Sequence, residues 1–422
     1  MMDYKEALAY IDGVSWMGSR PGLERITELL EKLDNPQRAL RFVHIAGTNG
    51  KGSCAAMTAS VLKAAGYRTG LFTSPYLFRF NERMQINGLP IGDEPLAALV
   101  ERIRPLADAM EDHPTEFELM TAAALLWFRD EGCDIAVMEV GLGGRLDATN
   151  VIEAPEASVI MNIGLDHTAI LGDTVEQIAA EKAGIIKPGC PVVLYPQQES
   201  VEAVVRAVCE EKGAPLLVAD FSQILPEFDS LEGQVFTYRG RPCAIPLLGE
   251  HQLHNAAVVL ELLEVLRRRG WKLEDDAIEH GLYAVSWPAR FEVVPCEPPF
   301  VVDGGHNPQC AQTVRDGLQR YFPGQRHVLL VGVLADKDYQ SLFQILDETA
   351  DAYVCVTPDS GRALEAEALA GYLQPFGKPV TVCGSIPEGV ETAREQAGTD
   401  GMVCAVGSLY MAGPIRQCLG LY

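Results

Sequence analysis

The 422-residue chain has an ordinary globular composition, with 48% hydrophobic and 22% charged residues. These proportions exclude a disordered, collagen-like or coiled-coil chain, and the length suffices for two or three domains. Its 34 basic and 58 acidic residues give a net charge of −24. Such a charge repels nucleic acid and anionic membranes, so an anionic ligand must bind at a local site.

Cysteine usage and the lack of targeting patterns predict a cytoplasmic protein. The eleven cysteines are scattered and include no C-x-x-C pair, which is typical of reduced thiols. The first ten residues show no signal-peptide pattern, and no stretch approaches about 18 uninterrupted apolar residues. We therefore expect no membrane span.

The first half of the chain alternates short apolar runs with helical patterns. The helical composition of Ser53–Ala65 predicts a helix that ends at Gly66. Strands that alternate with helices form βαβ units, so we expect a mainly parallel sheet. Its predicted buried strands are Phe42–Ala46, Thr69–Phe72, Ile135–Val140, Ser158–Ile163 and Val192–Leu194.

The rest of the chain predicts a hairpin region followed by a second domain. Residues 215–246 predict antiparallel hairpins, and Asn255–Arg269 predicts a helix. From Phe300 a second alternating series, with a helix near Ala363–Tyr372, predicts a smaller doubly wound domain. We expect domains at 1–290 and 300–422, with Trp287–Pro299 as the linker. The second domain's predicted strands are Phe300–Val302, His327–Val333, Ala352–Val356, Val380–Cys383 and Met402–Val406.

A glycine-rich loop, Ala46–Ser53, lies between a predicted strand and a predicted helix. Its glycines let backbone N–H groups approach a phosphate, the helix N-terminus favours the anion, and Lys51 supplies a positive charge. The loop departs from the G-x-x-x-x-G-K-[ST] pattern, because Ile45 occupies the first glycine position and Gly52 separates Lys51 from Ser53. The strand–loop–helix context predicts a nucleotide-phosphate site rather than an incidental turn.

Three polar residues fall near the carboxyl ends of predicted strands, where open parallel sheets bind ligands. Glu139 lies in the otherwise apolar strand Ile135–Val140 and needs a cation partner, either a metal ion or an arginine such as Arg145. His167 alone reads as a structural histidine, and Ser74 before a proline reads as turn chemistry. Because all three accompany a phosphate loop, they predict a magnesium site, although histidine is an unusual magnesium ligand.

Twelve short motifs, in order from residue 47 to 410, together resemble the folylpolyglutamate synthase family of the Mur ligase superfamily. One departure is Gly305, where the family usually has alanine. The motifs are Gly47–Ser53, Phe72–Pro75, Phe80–Arg83, Thr115–Glu118, Glu139–Asn150, Leu165–His167, Glu181–Gly184, His251–Asn255, Trp287–Arg290, Asp303–Pro308, Ala335–Asp338 and Gly407–Tyr410.

The resemblance implies an α/β fold. A P-loop Mur-ligase-type domain at 1–290 would bind ATP and folate, and a smaller Rossmann-like domain at 300–422 would bind glutamate. It implies an ATP-dependent ligase that adds L-glutamate to folate through an acyl phosphate, and in bacteria often also to dihydropteroate. The alternatives are a Mur ligase acting on a cell-wall peptide precursor, a nucleotide-driven switch, and a folate-binding module without catalysis. The resemblance also suggests a monomer. The net charge of −24 predicts that the protein binds neither nucleic acid nor membrane.

The resemblance assigns two groups of residues to ATP and metal. Two magnesium ions would be held by Ser74, Glu139, His167 and Lys182, the last as a carbamate. An unmodified Lys182 that pairs with a phosphate or with Glu181 is the alternative. The ATP-binding residues would be Asn49, Gly50, Lys51, Gly52, Ser53, Asn255, Arg290 and Asp303.

Other residues are assigned to substrate and catalysis. His306 and Ser408 would lie near the incoming glutamate, or else serve as a helix cap and a loop contact. Arg83 is a further candidate cation, with a surface charge facing Glu82 as the alternative. The catalytic residues would be Lys51, Glu139, His167, Lys182 and His306. The pterin end would lie near Thr115, Glu116, Phe117, Glu118, Leu146, Asp147 and Ala148, with a weaker contribution from Met17–Arg20.

Overall fold

A computed structural model describes residues 2–14 and 20–421, and they form two compact units. The first contains residues up to Leu225, together with Tyr238–Cys243 and His254–Val285. The second contains Pro226–Thr237, Ala244–Leu253 and the residues from Ser286 onward. Two segments that precede the predicted boundary at 290–300 therefore belong to the second unit. The domain limits drawn from the sequence stay a prediction.

The first unit is built on an eight-stranded sheet that is mainly parallel, as predicted. Its order is β4-β3-β2-β5-β1-β6-β7-β8, and its antiparallel pairings are β2 with β3 and β3 with β4, at one edge. The central strands are buried along their whole length, which explains their continuous apolar sequences. The strands are β1 (Phe42–Ala46), β2 (Thr69–Phe72), β3 (Met84–Ile86), β4 (Leu89–Pro90), β5 (Ile135–Glu139), β6 (Ala157–Ile160), β7 (Val192–Leu194) and β8 (Leu216–Val218).

Helices accompany this sheet and bury apolar side chains in its core, as Leu119 and Phe128 of α5 do. The helix predicted from Ser53 begins at Lys51, inside the glycine-rich loop. The helix predicted from Asn255 begins earlier, at Glu250. Its start was missed because its polar first turn hides the apolar pattern. The helices are α1 (Tyr4–Asp12), α2 (Glu24–Lys32), α3 (Lys51–Ala64), α4 (Asp93–Ala107), α5 (Glu116–Asp130), α6 (Thr168–Leu171), α7 (Val175–Ala183), α8 (Glu199–Lys212), α9 (Glu250–Arg268) and α10 (Asp275–Tyr283).

A separate three-stranded sheet occupies most of the region predicted as hairpins. It consists of β9 (Ile224–Ser230), β10 (Gly233–Tyr238) and β11 (Arg241–Ile245), with β10 in the centre. Two-residue connections can join only antiparallel strands, so the predicted hairpins are confirmed here. The prediction was wrong for Leu216–Val218, which pairs in parallel with β7 as the edge of the first sheet.

The second unit has a six-stranded sheet in the order β12-β13-β17-β14-β15-β16, parallel except for β12. The predicted linker Trp287–Pro299 contains β12, which was missed because its apolar run is so short. The strands are β12 (Glu292–Val294), β13 (Phe300–Val302), β14 (Arg326–Val331), β15 (Ala352–Cys355), β16 (Val380–Val382) and β17 (Gly401–Val406). The helices are α11 (Pro308–Tyr321), α12 (Tyr339–Leu346), α13 (Ala366–Leu373), α14 (Ile386–Ala397) and α15 (Leu409–Cys418).

Two further expectations can be compared with the described part of the chain. Within residues 2–14 and 20–421, no helix is long and apolar enough to cross a membrane. All eleven cysteines belong to this part, and none of them forms a disulfide bond.

Candidate active site

The glycine-rich loop connects the carboxyl end of β1 to the N-terminus of α3. Gly50 has a φ of +84°, and a Cβ there would lie 2.6 Å from Oδ1 of Asn255. A Cβ at Gly47 would lie 2.6 Å from the Cβ of Met161. Glycine is therefore required at both positions, by close approach at Gly47 and also by conformation at Gly50. The first-turn N–H groups of α3 point beyond its N-terminus, as in anion-binding helices.

The loop is fixed to the segment that follows β6. The amides of Thr48 and Asn49 donate to the carbonyl of Asn162, at 2.7 and 3.3 Å. The Thr48 hydroxyl donates to the carbonyl of Gly164 at 3.1 Å and accepts from its amide at 3.1 Å. Sequence analysis extended β6 to Ile163, but the strand ends at Ile160. The segment after it therefore supports the loop instead of continuing the sheet.

Two lysines converge on this loop. Lys51 Nζ donates to the carbonyl oxygens of Gly47 and Thr48, at 3.0 and 3.2 Å. Lys182 Nζ donates to the same Gly47 oxygen at 2.9 Å. Positive charge thus concentrates where a phosphate would approach the first turn of α3.

Lys182 is held near the end of α7. That helix begins after Thr174, whose hydroxyl accepts from the Gln177 amide while the Gln177 side chain accepts from the Thr174 amide. The Lys182 side chain is buried, and this burial, reinforced by the positive charge of Lys51, lowers its pKa to about 7. Glu181, its alternative partner, pairs with Arg145 instead, with 2.8 Å between Oε1 and Nη2.

Glu139 and Ser74 meet at the carboxyl ends of β5 and β2, which are parallel neighbours. The Ser74 amide donates to Glu139 Oε2 at 3.3 Å, and Lys51 Nζ lies 4.0 Å from Oε1. Arg145, the alternative cation, pairs with Glu181. A buried carboxylate next to a serine at a phosphate loop offers the hard oxygen ligands that Mg²⁺ prefers. These residues therefore fit a magnesium ion.

His167 is the third predicted metal ligand at a strand end. It precedes α6 with a φ of +51°, and its Nε2 lies 3.9 Å from Oδ1 of Asp166. Across residues 2–14 and 20–421, no three or more His, Cys, Asp or Glu side chains form a group that could hold a metal ion. The complete set of metal ligands, including His167, stays a prediction.

The predicted pterin residues at the start of α5 divide into two pairs with different surroundings. Thr115 and Glu118 turn toward each other, because the Glu118 carboxylate accepts from the Thr115 amide at 2.7 Å and from its hydroxyl at 3.0 Å. Phe117 instead contacts Gly141, where an added Cβ would lie 2.5 Å from its ring. Glu116 lies 3.8 Å from Arg83, and burial raises its pKa although Arg83 opposes the shift.

The alternative interpretation of Arg83 as a surface charge is wrong, because its side chain is 12% exposed. The Glu82 carboxylate accepts from the amides of Leu77, Phe78 and Arg79. The guanidinium of Arg83 lies over the ring of Tyr76 at 5.0 Å, and its side chain is largely buried. It therefore stays a candidate cation near Glu116.

The remaining predicted pterin segments are partly described. Asp147 is buried and accepts from the amides of Leu142 and Thr149, at 2.9 and 3.0 Å, so it orders the segment that contains Leu146 and Ala148. In the predicted stretch Met17–Arg20, residues 17–19 lie outside the described part of the chain, whereas Arg20 is within it.

The predicted residues of the second unit are tied to their own loops. The Asp303 carboxylate accepts from the amides of Phe291 and Gly305, at 2.7 and 2.6 Å. Burial raises its pKa, and the charge of Arg290 opposes that shift. A Cβ at Gly305 would lie 2.7 Å from Asp303 Oδ1, so this loop conformation disfavours the family's usual alanine.

His306 contacts its own loop and Ser408 caps a helix, which are the two structural roles given as alternatives. His306 Nδ1 lies 3.1 Å from the carbonyl of Gly304. Ser408 caps α15, since its hydroxyl accepts from the Tyr410 amide at 3.2 Å. Their roles near glutamate stay predictions.

Sequence reasoning missed Asn162 and Arg25. Asn162 supports the phosphate loop through its backbone carbonyl, which gives no side-chain signal. Arg25 pairs with Glu118 at 3.0 Å inside the protein, although an arginine on an amphipathic helix reads as surface charge.

Comparisons with known proteins agree with this arrangement. A family model described as the Mur ligase middle domain matches residues 45–263, and one described as the Mur ligase glutamate ligase domain matches residues 289–409. The chain is therefore a Mur ligase. It is 37% identical to the dihydrofolate synthase/folylpolyglutamate synthase of Bacillus subtilis (strain 168), over 99% of each chain. It belongs, within the Mur ligases, to the folylpolyglutamate synthase family.

Solved structures confirm the predicted fold class. Mycobacterium tuberculosis folylpolyglutamate synthase complexed with ADP and AMPPCP matches with a TM-score of 0.89 and 32% identity, covering 100% of both chains. Escherichia coli FolC in complex with DHPP and ADP matches with a TM-score of 0.88 and 28% identity, covering 99% of this chain and 98% of that one. The fold is thus a Mur-ligase-type P-loop domain with a second, smaller α/β domain.

Proposed function

We propose that this protein joins L-glutamate to reduced folates at the expense of ATP, and that it also joins glutamate to dihydropteroate. The observation that carries the proposal is the convergence of the phosphate loop, Lys51, Lys182 and Glu139 at the strand ends of a chain in this family. The bifunctional name of the B. subtilis relative and the DHPP in the E. coli structure support dihydropteroate as a substrate.

Formation of an amide requires activation of the substrate carboxylate, because a carboxylate is a poor electrophile. Transfer of the γ-phosphoryl group from ATP to the substrate carboxylate gives an acyl phosphate and ADP. The glutamate amine then attacks the acyl carbon, loses a proton and displaces phosphate, leaving an amide. Protein work in such a transfer is mainly positioning and neutralisation of charge.

Residues of the loop and strand ends supply that work. The first turn of α3 and Lys51 hold the phosphates, and Asn255 lies close to the loop at Gly50. Bound magnesium would neutralise phosphate charge, held by Glu139 and Ser74 with His167 and a carbamylated Lys182 completing two sites. The lowered pKa of Lys182 supports the carbamate, because only a neutral amine attacks carbon dioxide.

The other substrates and the setting complete the proposal. The pterin end lies near Thr115–Glu118 and Leu146–Ala148. Arg290 and Asp303 contact ATP, and His306 and Ser408 lie near the incoming glutamate. We place the protein in the cytoplasm as a monomer that binds neither nucleic acid nor membrane, which fits its charge of −24.

An ADP-release assay on the purified chain tests this function. Tetrahydrofolate and dihydropteroate are each supplied with ATP, magnesium and L-glutamate. A UDP-linked cell-wall peptide precursor is supplied with ATP, magnesium and a mixture of amino acids. We expect ADP release to require glutamate together with either pteridine substrate. Release with the UDP-linked precursor alone would favour the cell-wall ligase, and release without any acceptor would favour a nucleotide switch.

A further inference from the structure

The buried guanidinium of Arg25 joins three separate segments of the first unit. Arg25 belongs to α2, and its side chain is 9% exposed. Its Nε donates to Glu118 Oε2 at 3.0 Å, its Nη2 to the carbonyl of Arg20 at 2.5 Å, and its Nη1 to Asp112 Oδ2 at 3.3 Å. Arg25 is not among the proposed ATP-binding, metal-binding, catalytic or substrate-binding residues.

These three partners border the segments assigned to the pterin end. Glu118 lies in the first turn of α5, in the Thr115–Glu118 motif, and Asp112 lies in the connection that leads to it. Arg20 ends the stretch Met17–Arg20. The same part of the chain also reaches the third segment, because the Gly22 amide donates to the carbonyl of Leu146 at 3.4 Å.

The strength of these contacts differs, and the Glu118 contact dominates. Asp112 is 53% exposed and its ion pair with Arg25 is screened by water, whereas the carboxylate of Glu118 is 4% exposed. Removal of one partner from a buried pair leaves an uncompensated charge. The planar fork of arginine can hold a carboxylate and a carbonyl simultaneously in fixed directions, which a lysine ammonium does not reproduce.

The same Glu118 oxygen also caps α5. Oε2 accepts from the amide and the hydroxyl of Thr115 as well as from Arg25. The direction in which α5 begins is therefore fixed by a carboxylate that Arg25 neutralises, and Glu116 and Phe117 extend from that first turn.

We propose that Arg25 is a positioning residue for the pterin subsite, and that it orients the first turn of α5 relative to Arg20 and to the segment that begins at Leu146. This inference rests on the proposed folate ligase function. The residues of the Thr115–Glu118 motif then have two different roles. Glu118 positions the first turn through its contact with Arg25, whereas Glu116 and Phe117 face the substrate.

Kinetics of Arg25→Met and Arg25→Lys in the full-length protein test the proposal. With ATP and glutamate saturating, we expect Arg25→Met to raise the KM for tetrahydrofolate about ten-fold or more, with kcat changed about three-fold at most. The KM for ATP should stay within about two-fold, because the phosphate loop is built separately. Arg25→Lys should give an intermediate KM, since it keeps the charge but loses the fork.

Lys32→Met is the matched control. Lys32 belongs to the same helix and has an ion pair with Glu28, but its side chain is 37% exposed. The Lys32→Met variant should leave the KM for tetrahydrofolate, the KM for ATP and the melting temperature nearly unchanged. If Arg25→Met fails to fold, the KM for tetrahydrofolate and the KM for ATP are compared in Arg25→Lys and Glu118→Gln.

Failure of the Arg25 proposal and failure of the proposed folate ligase function give different results. An unchanged folate KM in folded Arg25 variants, or an equal rise in the KM values for folate and ATP, would overturn the positioning role while the wild-type activity stands. Absence of folate-dependent ADP release by the wild-type protein would instead overturn the function itself.

Discussion

Lys51 and Lys182 donate hydrogen bonds to one carbonyl oxygen, that of Gly47, at 3.0 and 2.9 Å. The ammonium group of Lys51 disfavours a positive charge on Lys182, which is the more buried of the two. Burial and the neighbouring charge together lower the pKa of Lys182 to about 7. A bound phosphate or a carbamate would each relieve this repulsion, which ties the loop to both proposed ligands.

Replacement of Lys182 by alanine tests the carbamate. We expect Lys182→Ala to lose at least about 99% of ligase activity, because the anionic group that helps to hold magnesium is gone. Small carboxylates such as acetate should restore part of that activity by occupying the vacated space. The measurement is ADP release with tetrahydrofolate and glutamate at increasing acetate concentration.

The control for this experiment is Lys187→Ala. Burial lowers the pKa of Lys187 too, but its Nζ donates to the carbonyl of Asn150 at 3.1 Å, away from the loop. Lys187→Ala should keep its activity and show no response to acetate. Absence of acetate rescue in Lys182→Ala would favour an unmodified ammonium that binds phosphate directly.

Glu139→Gln tests the carboxylate at the strand ends. The amide oxygen can still accept from the Ser74 amide, so the fold and melting temperature should be kept. Ligation should fall by about 100-fold or more, because an amide lacks the negative charge that binds magnesium. The assay is run over a magnesium titration, beside Glu131→Gln, an exposed glutamate that pairs with Arg68. Near-wild-type turnover by Glu139→Gln would refute the metal assignment.

The two ends of α3 provide a matched pair of glycines. Gly50 and Gly66 have φ values of +84° and +89°, but a Cβ at Gly66 meets nothing within 4 Å. Each alanine substitution should reduce the free energy of unfolding by about 1–2 kcal/mol, because both positions are left-handed. Only Gly50→Ala should also raise the KM for ATP, by about ten-fold, because its Cβ displaces Asn255. Equal KM values for ATP in the two variants would contradict a role for Asn255 near the nucleotide.

Asp303→Asn tests the loop link in the second unit. Asparagine offers a single acceptor oxygen, so one of the Phe291 and Gly305 amides loses its partner. The free energy of unfolding should fall by about 1–3 kcal/mol in urea denaturation, whereas the exposed Asp359→Asn should change little.

The pH dependence of that difference has a definite sign. Burial raises the pKa of Asp303 in the folded protein above its unfolded value, so the folded state holds the proton more tightly. Its contribution is therefore largest below the unfolded pKa and declines as pH rises through the raised folded pKa. The stability advantage of wild type over Asp303→Asn should shrink as the pH rises above about 4, the unfolded pKa of an aspartate. An advantage that grows with pH would contradict the raised pKa.

Much of the fold could be predicted because its elements carry local patterns. Phe42–Ala46, Thr69–Phe72 and Val192–Leu194 have the predicted limits, since each is a short apolar run buried on both faces of a parallel sheet. The errors occur where the local pattern is weak. The strand Glu292–Val294 is too short to stand out inside a proline-containing segment, and the polar first turn of α9 hides its beginning.

The candidate site divides in the same way. The sequence by itself determined the phosphate loop, the strand-end residues Ser74 and Glu139, and the family, because spacing and residue type are local properties. Only the tertiary structure decided that Lys182 shares the Gly47 carbonyl with Lys51 and that Arg25 is buried against Glu118. Such partners are distant along the chain, and no local periodicity encodes them. Packing brings them together, and their burial then sets their charge and their hydrogen bonds.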